Sequence, residues 1–129
     1  MAGRYLLDTN IVIAYFANET TVVNGVDGAT EIFLPAAGIG ELYYGAYKSN
    51  QVERNLSRLE LFISQAPVLP CDLDTARLYG EIRNRLRAQG APIPENDIWI
   101  AATALLHELT LATRDAHFQH INNLDLVAW

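Results

Sequence analysis

The stretch RYLLDTNIVIAYF, residues 4–16, places a short apolar run directly before an amphipathic helix. The apolar run reads as a buried strand, and it ends at Asp8, which two small polar residues follow. Thr9 or Asn10 is expected to cap the helix, because short polar side chains accept hydrogen bonds from its first free N–H groups. The pattern predicts a strand–helix unit and leaves open why the strand ends on a carboxylate.

Predicted strands and helices alternate along the rest of the chain. Such alternation favours an α/β fold with a central, mainly parallel sheet of four to five strands and helices on both faces. Ligands in folds of this kind bind beyond the carboxyl ends of the strands. Further strands are expected within residues 31–37, 67–71, 109–113 and, as a fifth candidate, 124–129; helices are expected within 39–49, 51–66, 72–90 and 97–109, and a short helix or a loop within 20–29.

The composition is that of one domain, residues 1–129, that we expect to be cytoplasmic. Half of the 129 residues are hydrophobic, which is enough for one packed core. No apolar run approaches the ~18 residues of a membrane-spanning helix, and the start MAGRYLLDTN lacks the apolar segment of a signal peptide. The single cysteine, Cys71, lies in the apolar stretch APVLPC, so we expect a reduced core residue.

The charge balance argues against binding nucleic acid through clustered basic residues. The net charge is −6, with 15 acidic and 9 basic residues, whereas non-specific nucleic-acid binding depends on Lys and Arg. A phosphodiester substrate is still compatible with this balance if divalent cations hold several carboxylates together. The position of the acids therefore matters more than their number.

Four carboxylates stand where strands end or helices begin. Asp8 follows the first predicted strand, and Asp115 follows the fourth. Glu41 lies one turn into the helix after the second strand, and Asp97 opens a mostly apolar helix, where the helix dipole favours a negative charge. Taken singly, each acid has an ordinary explanation as a helix cap, a turn residue or a surface residue.

Convergence of the four acids would raise their pKa values by mutual repulsion and destabilise the fold. Divalent cations remove that conflict, and oxygen ligands suit Mg²⁺ or Mn²⁺. The arrangement would then serve metal-assisted phosphodiester hydrolysis. Position alone leaves the metal-site interpretation and the capping interpretation about equally supported.

An ordered set of motifs resembles the PIN domain, and more closely the VapC-type toxins of toxin–antitoxin pairs. The motifs are LLDTN at the first strand, GELYYG, DIWIAA and TRDAHF, with LDLVAW at the end of the chain. The resemblance covers about residue 4 to the C-terminus. It implies a three-layer α/β/α domain that gathers acidic residues around Mg²⁺ or Mn²⁺ and cleaves single-stranded or looped RNA.

The resemblance also implies roles for individual residues. Carried over by motif position, the metal-binding and catalytic acids are Asp8, Glu41, Asp97 and Asp115, with Thr9 and Thr113 as supporting hydroxyl groups. Metal-activated water would cleave RNA to leave 5′-phosphate and 3′-hydroxyl ends, and the cleavage would inhibit translation and growth.

The family resemblance implies protein partners as well as RNA. A small cognate antitoxin and a homodimer within the toxin–antitoxin complex are expected. Arg83 and Arg87, one turn apart on a predicted helix, share a face that would meet RNA phosphates, an acidic segment of the partner or only solvent. Arg114 beside Asp115 is a candidate phosphate contact.

A minority of the aromatic residues Tyr43, Tyr44, Tyr47 and Trp99 is expected to line a homodimer or antitoxin groove.

Two other functions stay open at this point. In the first, the chain is a non-catalytic PIN-fold binding module whose acids are structural. In the second, His117 and His120, three residues apart, act as general base and acid in a metal-independent ribonuclease that leaves 2′,3′-cyclic phosphate. For both histidines we favour a surface or edge role over catalysis.

Overall fold

A five-stranded sheet, parallel throughout, forms the middle layer of the computed structural model, which describes residues 3–129. The spatial order of the strands is β3-β2-β1-β4-β5. This confirms the predicted sheet, including the fifth strand. The strands are β1 (Arg4–Leu7), β2 (Glu31–Pro35), β3 (Val68–Leu69), β4 (Thr110–Ala112) and β5 (Leu126–Val127).

In the described part of the chain, six α-helices and one 3₁₀ helix connect the strands. The segment left open as helix or loop is helical, and the helix predicted from residue 39 begins earlier, directly after Pro35. Gly38 lies in that added turn, and a Cβ there would come within 3.3 Å of Thr9 Cγ2, so the glycine permits close packing. The helices are α1 (Thr9–Phe16), α2 (Thr20–Gly28), α3 (Ala36–Tyr47), α4 (Val52–Gln65), α5 (Leu73–Ala88), α6 (Glu95–Leu106) and the 3₁₀ helix (Ala116–His120).

Two hydrophobic clusters cover the two faces of the sheet. Neighbouring residues of a strand point to opposite faces. Leu6 accordingly packs in one cluster with residues of α5 and α6, and Leu7 packs in the other with residues of α1, α2 and α4. The result is the three-layer α/β/α architecture that the resemblance implied.

The strand order brings the ends of β1 and β4 together. Leu7 and Ala112 are paired residues of these adjacent parallel strands, and the Asp8 N–H donates to the Ala112 carbonyl at 3.0 Å. Because both strands run the same way, the residues that follow them leave the sheet at one edge. Asp8 and the segment from Thr113 to Asp115 therefore lie side by side, although more than a hundred residues separate them in the chain.

Cys71 is exposed, so its predicted place in the core is wrong. The apolar stretch before it forms only the two-residue strand β3 at the edge of the sheet, where Val68 is itself exposed. A short edge strand leaves the residues after it at the surface. Within residues 3–129, none of the helices is both long and apolar enough to cross a membrane.

Candidate active site

Asp8 is the N-cap of α1, which corrects the prediction that Thr9 or Asn10 has that role. Its Oδ1 accepts a hydrogen bond from the Thr9 N–H at 2.8 Å, and its backbone is extended, as N-cap residues are. Asn10 instead lies within the first turn, where its amide approaches Asp8 Oδ2 at 3.4 Å. The carboxylate that ends the strand thus also begins the helix.

Thr113 holds the second oxygen of Asp8. Its hydroxyl donates to Asp8 Oδ2 at 2.7 Å and accepts from the Asp115 N–H at 3.0 Å. Thr113 and Asp8 are both 4% exposed. Of the two threonines predicted to support the site, Thr113 does so through its hydroxyl, and Thr9 bonds Asp8 through its backbone N–H. The buried carboxylate is held at both oxygens and cannot turn freely.

Asp97, Asp115 and His117 come together beside this pair. Asp97 lies in the first turn of α6, at the positive end of its dipole. Asp115 caps the 3₁₀ helix, and its Oδ1 accepts from the His117 N–H at 2.9 Å. The imidazole Nδ1 lies 3.0 Å from Asp115 Oδ1 and 3.2 Å from Asp97 Oδ2. One ligand atom from each residue lies within 4.8 Å of the other two.

Sequence reasoning favoured a surface or edge role for His117. Its side chain is 49% exposed, and its ring also contacts the carboxylates of Asp97 and Asp115. His120 lies elsewhere: it lines a small crevice with Gln89 and Leu105. Leu105 and Asp97 are at opposite ends of α6, about 12 Å apart at 1.5 Å per residue. The two histidines thus face different ends of one helix. The only sequence signal for His117 was its spacing of two residues from Asp115.

Glu41 lies at the margin of the group. Its carboxylate accepts a hydrogen bond from the side-chain amide of Asn96, which also donates to the Ala37 carbonyl at 3.1 Å. Asn96 directly precedes Asp97, so this amide joins α3 to the start of α6 next to the clustered acids. Sequence reasoning missed Asn96, whose contacts depend on the packing of two helices that are distant in the chain.

Burial and mutual repulsion raise the pKa of two of the acids. For Asp8 the main cause is desolvation, and the negative charge of Asp115 adds to it, against the lowering effects of the hydrogen bonds from Thr113 and Thr9. Desolvation is also the main cause of the raised pKa of Asp97, with further contributions from the charges of Asp8 and Asp115. The hydrogen bond from His117 acts in the opposite direction. The folded structure therefore disfavours the ionised forms of Asp8 and Asp97.

The donor set fits a divalent cation. Carboxylate oxygens from Asp97 and Asp115 and one imidazole nitrogen are close enough to share an ion, and Asp8 stands beside them. A cation would relieve the repulsion that raises the pKa of Asp8 and Asp97. Carboxylate oxygens gathered in this way are the ligands that hard divalent cations prefer.

Comparison with known proteins identifies the family. The sequence profile of the PIN domain matches residues 5–124, nearly the whole chain. The chain belongs to the PIN-domain family. Ribonuclease VapC2 from Rickettsia felis is 33% identical to this chain, and the match covers 97% of each. A tRNA(fMet)-specific endonuclease VapC from Shigella flexneri is 33% identical over 98% of both.

Comparison with a solved structure shows that the likeness includes the fold. The PIN domain superposes with a TM-score of 0.89 on a chain from the crystal structure of VapBC2 from Rickettsia felis bound to a DNA fragment from their promoter. The sequences are 31% identical, and the match covers 98% of each chain. The sequence resemblance to VapC-type proteins and the three-layer fold are both confirmed.

The three arginines predicted as phosphate contacts are not among the clustered ligand residues. Arg83 and Arg87 are exposed on α5, and Arg83 donates to the Tyr79 hydroxyl at 2.8 Å. Arg114 already has protein partners: its guanidinium contacts Glu19 at 2.9 Å and the Trp129 carbonyl at 3.2 Å. A phosphate contact by any of the three stays a prediction, and Arg114 would have to share its guanidinium with Glu19.

An open groove of about 590 Å³ lies next to the PIN-domain site, between α1, α3 and α4. Ile13 and Tyr44 are exposed on its walls, and Lys48 and Arg58 stand over the rings of Tyr44 and Phe16. The walls of the groove are therefore mainly apolar, and two positively charged side chains lie at its rim. Its lining includes Thr9, Ile13, Phe16, Glu41, Leu42, Tyr44, Lys48, Arg58 and Leu59.

Proposed function

We propose that this PIN domain is a metal-dependent endoribonuclease and the toxin of a VapBC-type toxin–antitoxin module, which inhibits translation and growth by cleaving RNA. The observation that carries the proposal is the group of ligand atoms from Asp97, Asp115 and His117 within 4.8 Å of one another, beside the buried Asp8. The names of the related proteins, ribonuclease VapC2 and tRNA(fMet)-specific endonuclease VapC, support RNA as the substrate.

The proposed catalytic and metal-binding residues are Asp8, Glu41, Asp97 and Asp115. Bound Mg²⁺ or Mn²⁺ would supply a Lewis acid that lowers the pKa of water and offsets the charge of the phosphodiester. Asp8, held by Thr9 and Thr113, gives the site a fixed carboxylate that needs no reorganisation when the cation binds. Asn96 keeps the Glu41 carboxylate at the margin of the site, on the side where the groove opens.

Cleavage is expected to require a divalent cation and to leave 5′-phosphate and 3′-hydroxyl ends, because attack by water expels the 3′-oxygen. The test is digestion of end-labelled RNA with Mn²⁺ or with EDTA, followed by analysis of the product ends. Cyclic phosphate ends formed in EDTA would instead indicate a metal-independent reaction and contradict the proposed mechanism. Absence of cleavage of any RNA in the presence of Mn²⁺ would favour the non-catalytic binding module.

The partner proposed for the groove is the antitoxin. A solved structure similar to this chain, at 25% identity, is a toxin–antitoxin complex from Klebsiella pneumoniae. An amphipathic segment with apolar side chains and an acidic flank would match the apolar walls and the cations Lys48 and Arg58. A homodimer of the toxin within that complex is part of the same proposal, and light scattering would measure it.

The substitution Ile13→Glu is expected to weaken antitoxin binding at least tenfold, because it places a charge on the apolar wall and repels an acidic partner segment. Leu61 provides a matched control: it is 61% exposed, against 60% for Ile13, and does not line the groove. Titration of each variant with the cognate antitoxin, sought as the product of the adjacent open reading frame, compares the two. Equal loss of affinity in Leu61→Glu and Ile13→Glu would contradict the assignment of the groove.

A further inference from the structure

We propose that His117 is a direct ligand of the cation, through Nδ1, and that this nitrogen makes the site favour Mn²⁺ over Mg²⁺. The inference rests on the proposed function, because it concerns the same metal site. The inference adds His117 to the four acids that motif position suggests as metal ligands, and it specifies Mn²⁺ as the preferred ion.

The distances around the imidazole match those between neighbouring ligands of one ion. Metal–ligand bonds of about 2.1 Å at right angles place adjacent ligand atoms ~3 Å apart. Nδ1 of His117 lies 3.0 Å from Asp115 Oδ1 and 3.2 Å from Asp97 Oδ2. The three atoms can therefore take adjacent positions around a single cation after only small movements.

The ring is held in this place by its own local structure. Asp115 Oδ1 accepts from the His117 N–H at 2.9 Å, which fixes the start of the 3₁₀ helix. The next residue, Phe118, is fully buried and anchors that helix in the core. The His117 side chain is 49% exposed, so the ring can adjust toward an ion without disturbing the packing.

The chemistry of the ligands then bears on the choice of ion. Mg²⁺ prefers oxygen ligands in regular octahedral geometry and keeps several waters. Imidazole nitrogen is a better ligand for transition-metal ions, so one nitrogen among carboxylates raises the affinity for Mn²⁺ more than that for Mg²⁺.

The experiment is electron spin-echo spectroscopy of Mn²⁺ bound to the full chain, which detects nitrogen nuclei in direct contact with the ion. Wild type and His120→Gln are expected to show nitrogen coupling, and His117→Gln to lose it. His120 is the matched control, because it lies on the same 3₁₀ helix and faces a different crevice. In His117→Gln the Mn²⁺ affinity is expected to fall about tenfold, and the Mg²⁺ affinity less than about threefold.

Bound Mn²⁺ without nitrogen coupling in the wild type would overturn the inference and leave the proposed function standing. Failure of the wild type to bind Mn²⁺ at all would overturn both. A loss of Mn²⁺ affinity in His117→Gln without any nitrogen coupling in the wild type would make His117 a positioning residue and also refute direct ligation. Circular dichroism of each variant checks that this exposed substitution leaves the fold unchanged.

Discussion

Asp97→Asn is expected to lower the rate of RNA cleavage by about 100- to 1,000-fold. In the proposed metal site it removes one charged ligand of a cation that would supply several kcal/mol of transition-state stabilisation. The measurement is the initial rate of cleavage of labelled RNA at saturating Mn²⁺. Asp74→Asn is the control: Asp74 is an exposed acid paired with Arg77 on α5, and its loss should leave the rate unchanged. Full activity in Asp97→Asn would contradict the metal-site proposal.

The same variant is expected to keep its stability in metal-free buffer. A carboxyl group whose folded-state pKa is raised contributes stability below its unfolded pKa, and this contribution is lost as the pH rises through the folded value. The pKa of Asp97 is raised by burial and by the charges of Asp8 and Asp115, so at neutral pH its ionised form opposes folding. Urea unfolding in EDTA at pH 7 should give Asp97→Asn a free energy of unfolding equal to or above that of the wild type.

Added Mn²⁺ should make the wild type more stable than Asp97→Asn, the reverse of the order expected in EDTA. A cation that binds only the folded state raises the unfolding midpoint, and the wild type should show this rise while Asp97→Asn shows little of it. An equal rise in both proteins would mean that the ion binds elsewhere. A variant unfolded even in EDTA would contradict the expectation that Asp97 serves the site rather than the fold.

Phe118→Ala is expected to lower the free energy of unfolding by about 3–5 kcal/mol, the range for removing a buried aromatic ring. Phe118 is fully buried in the cluster that Leu6, Ile100 and Leu111 share on one face of the sheet. Phe118 also anchors in the core the 3₁₀ helix that carries His117. Cleavage activity should therefore fall further than the unfolded fraction accounts for.

Urea unfolding followed by fluorescence and by circular dichroism measures this effect. Phe118→Leu keeps most of the apolar volume and should lose less stability than Phe118→Ala. We propose that residues 1–129 form one domain, so both probes should report one transition in the wild type and in each variant. A loss below about 1 kcal/mol for Phe118→Ala, or two separate transitions, would contradict these expectations.

Local signals predicted the elements well because each one depends on neighbours in the chain. The helix predicted within residues 72–90 is α5: Asp72 caps it by accepting from the Thr75 N–H at 3.1 Å, and Gly90 follows it with a φ of 68°. The apolar run before Asp8 is a strand, and its end is where the polar residues begin. Hydrophobic periodicity and terminal residues carry this information without reference to the rest of the molecule.

The errors concern contacts between segments far apart in the chain. Cys71 was expected in the core from its apolar neighbours, but these form an edge strand. Asp8 was expected to leave capping to its neighbours, yet one carboxylate both caps α1 and bonds Thr113 across the sheet. The exposure of His117 agrees with the expected surface role, but the contact of its ring with Asp97 on a different helix was not predicted.

By itself the sequence determined that this chain forms strands and helices in alternation and that acids stand at their ends, because capping, turn chemistry and apolar runs act over a few residues. The motif order also identified the PIN domain. Only the tertiary structure decided which groups meet: the β1–β4 pairing brings Asp8 to Thr113, and the packing of the 3₁₀ helix against α6 brings His117 to Asp97. The physical reason is that these contacts depend on strand register and helix packing, which sum weak interactions over the whole core.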